Sequence, residues 1–143
     1  MRPDMSFREK SAWISFITIL LVFGAYFWNV ARIAGGNVGG HAGFVISISL
    51  IGAFILLEIV LHITVMLQSP KEAQAPKDER ERLIELKATN VAFLVLMVGA
   101  LAGVGMMHIT RSVWVMGQHV LLAVVVAGLV RSGVQILYFR RGV

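Results

Sequence analysis

Four long apolar runs divide the chain, at about 12–33, 43–67, 89–109 and 113–139. Each has the roughly 20 residues an α-helix needs to cross a ~30 Å hydrocarbon layer. The pattern predicts an all-α fold: a polytopic, four-transmembrane-helix bundle filling residues 1–143 as one domain, with no room for a soluble domain. The connections differ in kind. "ARIAGGNVGGHAG" between the first two runs is glycine-rich and almost uncharged, a pliable turn without the Lys and Ser/Thr of a phosphate loop. The connection at about 68–88 is the only long polar stretch. There Pro70 and Pro76 break the chain, and Asp78, Glu79 and Glu81 occupy what would be the first turn of a new helix, where acidic groups suit the dipole. This predicts a short helix running straight into the third apolar run.

Composition sharpens the class. The chain is 57% hydrophobic and 15% charged with mean hydropathy +0.80, whereas a soluble domain is nearer one quarter charged. No cysteine is present, which excludes disulfides, thiolate metal sites and a cysteine nucleophile. The first run follows "MRPDMSFREK" but exceeds the ~7–15 apolar residues of a signal peptide and lacks an A-x-A site, so it reads as an uncleaved helix. The net charge of +5 points to a membrane face, not to nucleic acid. Ten Lys and Arg residues lie in the N-terminal stretch, the 68–88 connection and the C-terminus, against Arg32 and Arg111 in the other two connections. The positive-inside bias therefore puts the N-terminus and C-terminus in the cytoplasm. Tyr26, Trp28 and Trp114 then lie toward the outer interface, and Trp13 and Tyr138 toward the inner one.

The segment "DERERLIELKATNVAF" resembles the acidic-basic lead-in, of the form D-E-R-E-R-x-I-x-x-K-A, of small uncharacterised bacterial and archaeal membrane proteins in domain-of-unknown-function families. The resemblance covers about sixteen residues. It implies a compact multi-pass protein of a prokaryotic plasma (inner) membrane and carries over no functional residue. A two-helix duplication, tested by sliding the chain 77 positions, aligns Lys10 with Lys87 and Glu58 opposite Gln135. These matches are too few to establish a repeat.

Chemistry concentrates at a few positions. Glu58 is the only acidic residue in the four apolar runs and Arg131 the only Lys or Arg in the last. A lone charge at a helix centre costs about 2.5–3.5 kcal/mol on insertion scales. Glu58 lies ten residues before Gln68 and Arg131 nine before Arg140, so both sit roughly 14–15 Å from the basic face. Equal depth predicts that they face each other, within one chain or between two. His62 follows Glu58 by four, Gln135 follows Arg131 by four, and Ser47 joins the first stripe three turns away. His41, His108 and His119 fall at the outer helix ends, where three imidazoles could hold a metal, or two of them a haem. Met97, Met106 and Met107 read as packing. Gly99-x-x-x-Gly103 and Gly128-x-x-x-Ser132 are spacings that let helices approach closely.

These features support three readings. The leading one is a non-catalytic integral membrane protein that assembles as a homo-oligomer or binds a cytosolic or membrane protein partner. It would use the Glu58, His62, Arg131 and Gln135 stripe and the 76–88 segment, with Asp78, Glu79, Arg80 and Arg82 as contacts. The second is a small transporter or channel with Glu58, His62 and Arg131 as an ion or proton pathway. The third is haem- or metal-dependent electron transfer through His41, His108 and His119. No cofactor is otherwise expected. Enzyme signatures such as G-x-S-x-G and H-E-x-x-H are missing.

Overall fold

The computed structural model describes residues 6–33, 41–68, 70 and 74–141; the glycine-rich turn at 34–40 lies outside them, as does the side chain of His41. The described chain is all-helical: α1 (Phe7–Ile33), α2 (His41–Gln68), α3 (Glu79–Thr110) and α4 (Val113–Arg141). With 27 to 32 residues apiece, the helices are roughly 40–48 Å long. All four are long and apolar enough to cross a membrane.

Helix boundaries follow local chemistry. Ser6 starts α1 before the apolar run begins, since its Oγ accepts from the Glu9 N–H at 3.2 Å and its carbonyl from the Lys10 N–H at 3.0 Å. The expected helix ahead of the third run is continuous with it, giving a single 32-residue α3. Asp78 caps that helix in a capping box. Its carboxylate accepts from the Glu79 N–H at 2.8 Å, while Glu81 Oε2 accepts from the Asp78 N–H at 3.2 Å. At the far end Arg111 adopts a left-handed conformation (φ 53°) and donates its N–H to the Met107 carbonyl. Ser112 then accepts from the Val115 N–H at 3.3 Å and starts α4. Two residues thus reverse the chain, which forces α3 and α4 into an antiparallel hairpin.

By backbone proximity among the described residues, the helices pack in the spatial order α2, α1, α4, α3. The α3–α4 contact is the most extensive, and its small residues explain why. A Cβ on Gly99 would stand 2.6 Å from the Ala123 Cβ, and one on Gly103 would stand 3.1 Å from Val120, so the Gly99-x-x-x-Gly103 spacing is where the backbones come together. Gly128 faces Ile19 of α1, and Ser132 is buried. Position in the row governs burial: 28% of the apolar window of α4 is buried, against none for α2 at the edge.

α1 holds α2 by polar pins and one ring pair. Near one end the Tyr26 hydroxyl lies 2.6 Å from Ser47 Oγ and donates to Gln118 Oε1 of α4 at 3.0 Å. Near the other, Ser15 Oγ donates to Glu58 Oε2 at 2.9 Å. Between them Phe23 and Phe54 meet edge to face, centroids 5.0 Å apart. Ser47, Glu58 and His62 therefore form the inward stripe of α2, as their spacing predicts, and Phe54 joins it.

This packing makes two positions informative for stability. Gly99→Val should destabilise the protein by about 1–3 kcal/mol through overpacking. Gly105→Val, at a position with nothing within 4 Å, should change little more than helix propensity does; chemical denaturation of the two purified variants in detergent compares them. Tyr26→Phe removes the bridge among α1, α2 and α4 and should cost about 1–2 kcal/mol in the same assay.

Candidate functional site

At the end of the bundle where Phe7, Gln68, Glu79 and Arg141 converge, all four helices contribute to one polar cavity of about 260 Å³. Ser11 and Ser15 of α1, His62 of α2, Glu81 and Glu85 of α3, and Arg131, Ser132 and Gln135 of α4 line it, along with Lys77 from the connection. Three of the four residues of the predicted polar cluster thus meet at one place. The fourth, Glu58, lies one hydrogen bond behind the wall, on Ser15.

Glu58 and Arg131 do not pair, contrary to the expectation from their depth. Their depths do match: Glu58 bonds Ser15, while Gly128 and Gly133 on either side of Arg131 face Ile19 and Phe16 of the same helix. α1, however, stands between α2 and α4 at this level. Arg131 turns instead to Glu85 of α3, Nη2 to Oε1 at 3.5 Å. Gly99 is opposite Ala123 in this hairpin, so counting about fourteen residues along each helix sets Glu85 level with Leu137. Arg131 therefore reaches about six residues, roughly 9 Å, toward the charged end. Its apolar stem stays along the helix while the guanidinium joins the other charges, the behaviour expected of a long basic side chain in an apolar layer.

The surroundings of Glu58 are unusual. Its side chain is 18% exposed. Oε2 accepts from Ser15 and lies 3.4 Å from His62 Nδ1, which is also 2.9 Å from the Glu58 carbonyl oxygen. A proton on Nδ1 is thus shared between two oxygens of the same residue, leaving Nε2 as the ring's other proton site. Glu58 Oε1 is buried and has no hydrogen-bond partner among the described residues.

The mouth of the cavity is closed in by charge. Arg8 Nε meets Glu81 Oε2 at 2.7 Å, and Arg8 also donates to the Ala75 carbonyl at 3.2 Å. Lys77 pairs with Glu85. Arg140 lies 3.6 Å from Glu9 and stacks over the Trp13 ring, 5.2 Å from its centroid. Residues 79–87 carry most of the charge of α3, and its apolar run begins beyond them. Within that charged lead-in, the hydrogen bond from Lys77 holds the Glu85 carboxyl below its ordinary value of 4.5. The charges of Lys77, Arg131 and Arg8 act in the same direction, and partial burial opposes them.

The remaining predicted residues are dispersed. Asp78 uses its carboxylate in the capping box, while Glu79, Arg80 and Arg82 lie on the first turns of α3. His108 and His119 place Nδ1 3.3 Å and 2.8 Å from the carbonyls of Val104 and Val115 in their own helices. Among the described residues no three His, Asp or Glu side chains gather as metal ligands would. Residue-by-residue reading missed Ser15 and Glu85. The one-turn spacing of Ser11 and Ser15 in the first run was a signal for the former; nothing in the charge alternation of 79–87 singles out the latter. Compared with protein-family models, curated proteins and solved structures, the chain matches none.

Because the folded-state pKa of Glu85 lies below its unfolded value, its ion pairs stabilise the fold above the ordinary carboxylate range. That contribution is lost as pH falls through the lowered folded value. Thermal unfolding between pH 7 and pH 3 should show a stability loss below about pH 4.5 that is smaller in Glu85→Gln.

Proposed function

We propose that this chain is a multi-pass membrane protein that carries protons or a small cation through the Glu58 site, entered from the polar cavity. The observation that carries this reading is the Glu58 carboxylate itself. It lies deep in an apolar helix, with one oxygen held by Ser15 and His62 and the other buried without a partner among the described residues. An intramembrane acid is costly, and such residues commonly serve in proton or ion relays. Oε1 is the atom that would take the proton or touch the cation, His62 Nε2 offers the next proton site, and the cavity supplies polar side chains from there to the charged end. On this reading the 68–88 connection faces the cytoplasm, by the distribution of Lys and Arg.

A second reading, assembly with further copies or a partner, has a specific observation in its favour: among the described residues the α2 backbone comes close to that of α1 alone, and none of its apolar window is buried. The 76–88 segment supports it less, since Asp78, Glu81 and Glu85 engage groups of the same chain.

Reconstitution into proteoliposomes containing a pH-sensitive dye, with an imposed proton or monovalent-cation gradient, separates the two. Wild-type protein should dissipate one of these gradients, and Glu58→Gln should reduce the flux to that of empty vesicles while retaining its helical content. Equal flux from both proteins rules out the Glu58 pathway. A larger particle mass in detergent, unaltered by Glu58→Gln, supports assembly.

A further inference from the structure

A second polar patch lies along the first turns of α3 and shares Lys77 and Glu85 with the cavity. We propose that it binds the headgroup of an anionic phospholipid in the leaflet at the charged end. Lys77, Arg82, Glu85, Leu86, Thr89 and Asn90 line a hollow of about 290 Å³ there. Three observations converge on this ligand.

The first is charge. Two cations face one carboxylate, and the carboxylate, Glu85, is already held by Lys77 and Arg131. Arg82 pairs with no carboxylate among the described residues. The patch therefore has about one positive charge in excess, matching the single negative charge of a phosphodiester. A guanidinium is the side chain best shaped to hold phosphate oxygens.

The second is unsatisfied polarity at a fixed depth. Asn29, Thr64 and Thr110 each donate to the carbonyl four residues back in their own helices, at 2.7–2.8 Å. Thr89 and Asn90 make no such bond among the described residues, and both are exposed where the charged lead-in of α3 gives way to its apolar run. Polar groups left unpaired at that depth are costly, and the phosphate and glycerol oxygens of a lipid would satisfy them.

The third is the apolar surface further along the helix. Leu86 is exposed, and Phe93 and Met97 continue the same face at helical spacing, also exposed. Headgroup, linkage and acyl chain thus meet cations, hydrogen-bonding groups and apolar surface in the order a lipid presents them. A zwitterionic lipid brings its own cation to a patch with surplus positive charge, so the ligand is a phospholipid of net negative charge, for which phosphatidylglycerol is the probe.

The test is to reconstitute the full chain into vesicles of equal parts phosphatidylglycerol and phosphatidylcholine, extract it gently and count the retained lipids by native mass spectrometry. Phosphatidylglycerol should be retained about fivefold over phosphatidylcholine, the preference set by one uncompensated charge at a membrane surface. Arg82→Gln should bring the ratio close to that of the bulk. Thr89→Val combined with Asn90→Leu should lower total retention with the helical content preserved. Lys10→Gln, at the same end but off the patch, should leave the ratio unchanged. Bulk-ratio retention by the wild type overturns the proposal, and so does an equal loss in Lys10→Gln, which would mean diffuse charge alone. Displacement of the lipid by equimolar soluble glycerophosphoglycerol would show a phosphate site indifferent to acyl chains, and overturns it as well.

Discussion

A polar group placed between apolar helices must find a partner there, and in this chain that requirement determines how α2 is held. Apolar side chains gain little by leaving lipid for one another, so helices in such an environment are joined by close packing and by hydrogen bonds. No residue in the apolar window of α2 is fully buried. Its attachment rests on Ser47 against Tyr26, Phe54 against Phe23, and Glu58 against Ser15. Each such bond averages only about 0.6 kcal/mol in membrane proteins, so the positions of the polar pins matter more than their individual strengths. The bond that fixes this edge of the bundle also sets Glu58 in place beside the cavity.

The α3–α4 hairpin is built on the opposite principle. Gly99 lets α3 come against Ala123, and the two-residue turn at Arg111–Ser112 keeps the helices in register. Close backbone approach multiplies dispersion contacts that no single side chain could supply. The bundle thus pairs a rigid hairpin, held by shape, with a lightly attached edge helix held by polar contacts. α1 joins the two, which is why its polar residues Ser15 and Tyr26 both bridge helices.

Much of this was legible in the residues, and the limits of that legibility are physical. The four spans are set by hydrophobic length, which is local information. The stripe of Ser47, Glu58 and His62 is set by helical periodicity, also local, and the depth of Arg131 comes from counting. Which helix stands beside which is not local. Equal depth made Glu58 and Arg131 natural partners only if α2 and α4 were neighbours, and α1 between them redirects Glu58 to a serine and Arg131 to Glu85. The lead-in of α3 was harder still: Glu81, Glu85 and Arg82 look alike in a run of alternating charge. Yet the first two are tied to Arg8 and Arg131 while the third pairs with no carboxylate among the described residues, a distinction that depends on where α1 and α4 end.

The distribution of ionic contacts bears on which part of the molecule can move. Arg8–Glu81, Arg140–Glu9 and Arg131–Glu85 stitch α1, α3 and α4 together at the charged end. Each pair is worth only about 0.2–1 kcal/mol where exposed, but the three span every combination of those helices, so none of the three can shift without breaking two. α2 takes part in none of them among the described residues. A change in the tilt of α2 would cost chiefly the Ser15–Glu58 bond at one end and the Tyr26–Ser47 bond at the other. The hydrogen bond that holds Glu58 beside the cavity is therefore also one of the few contacts that set where α2 lies against α1.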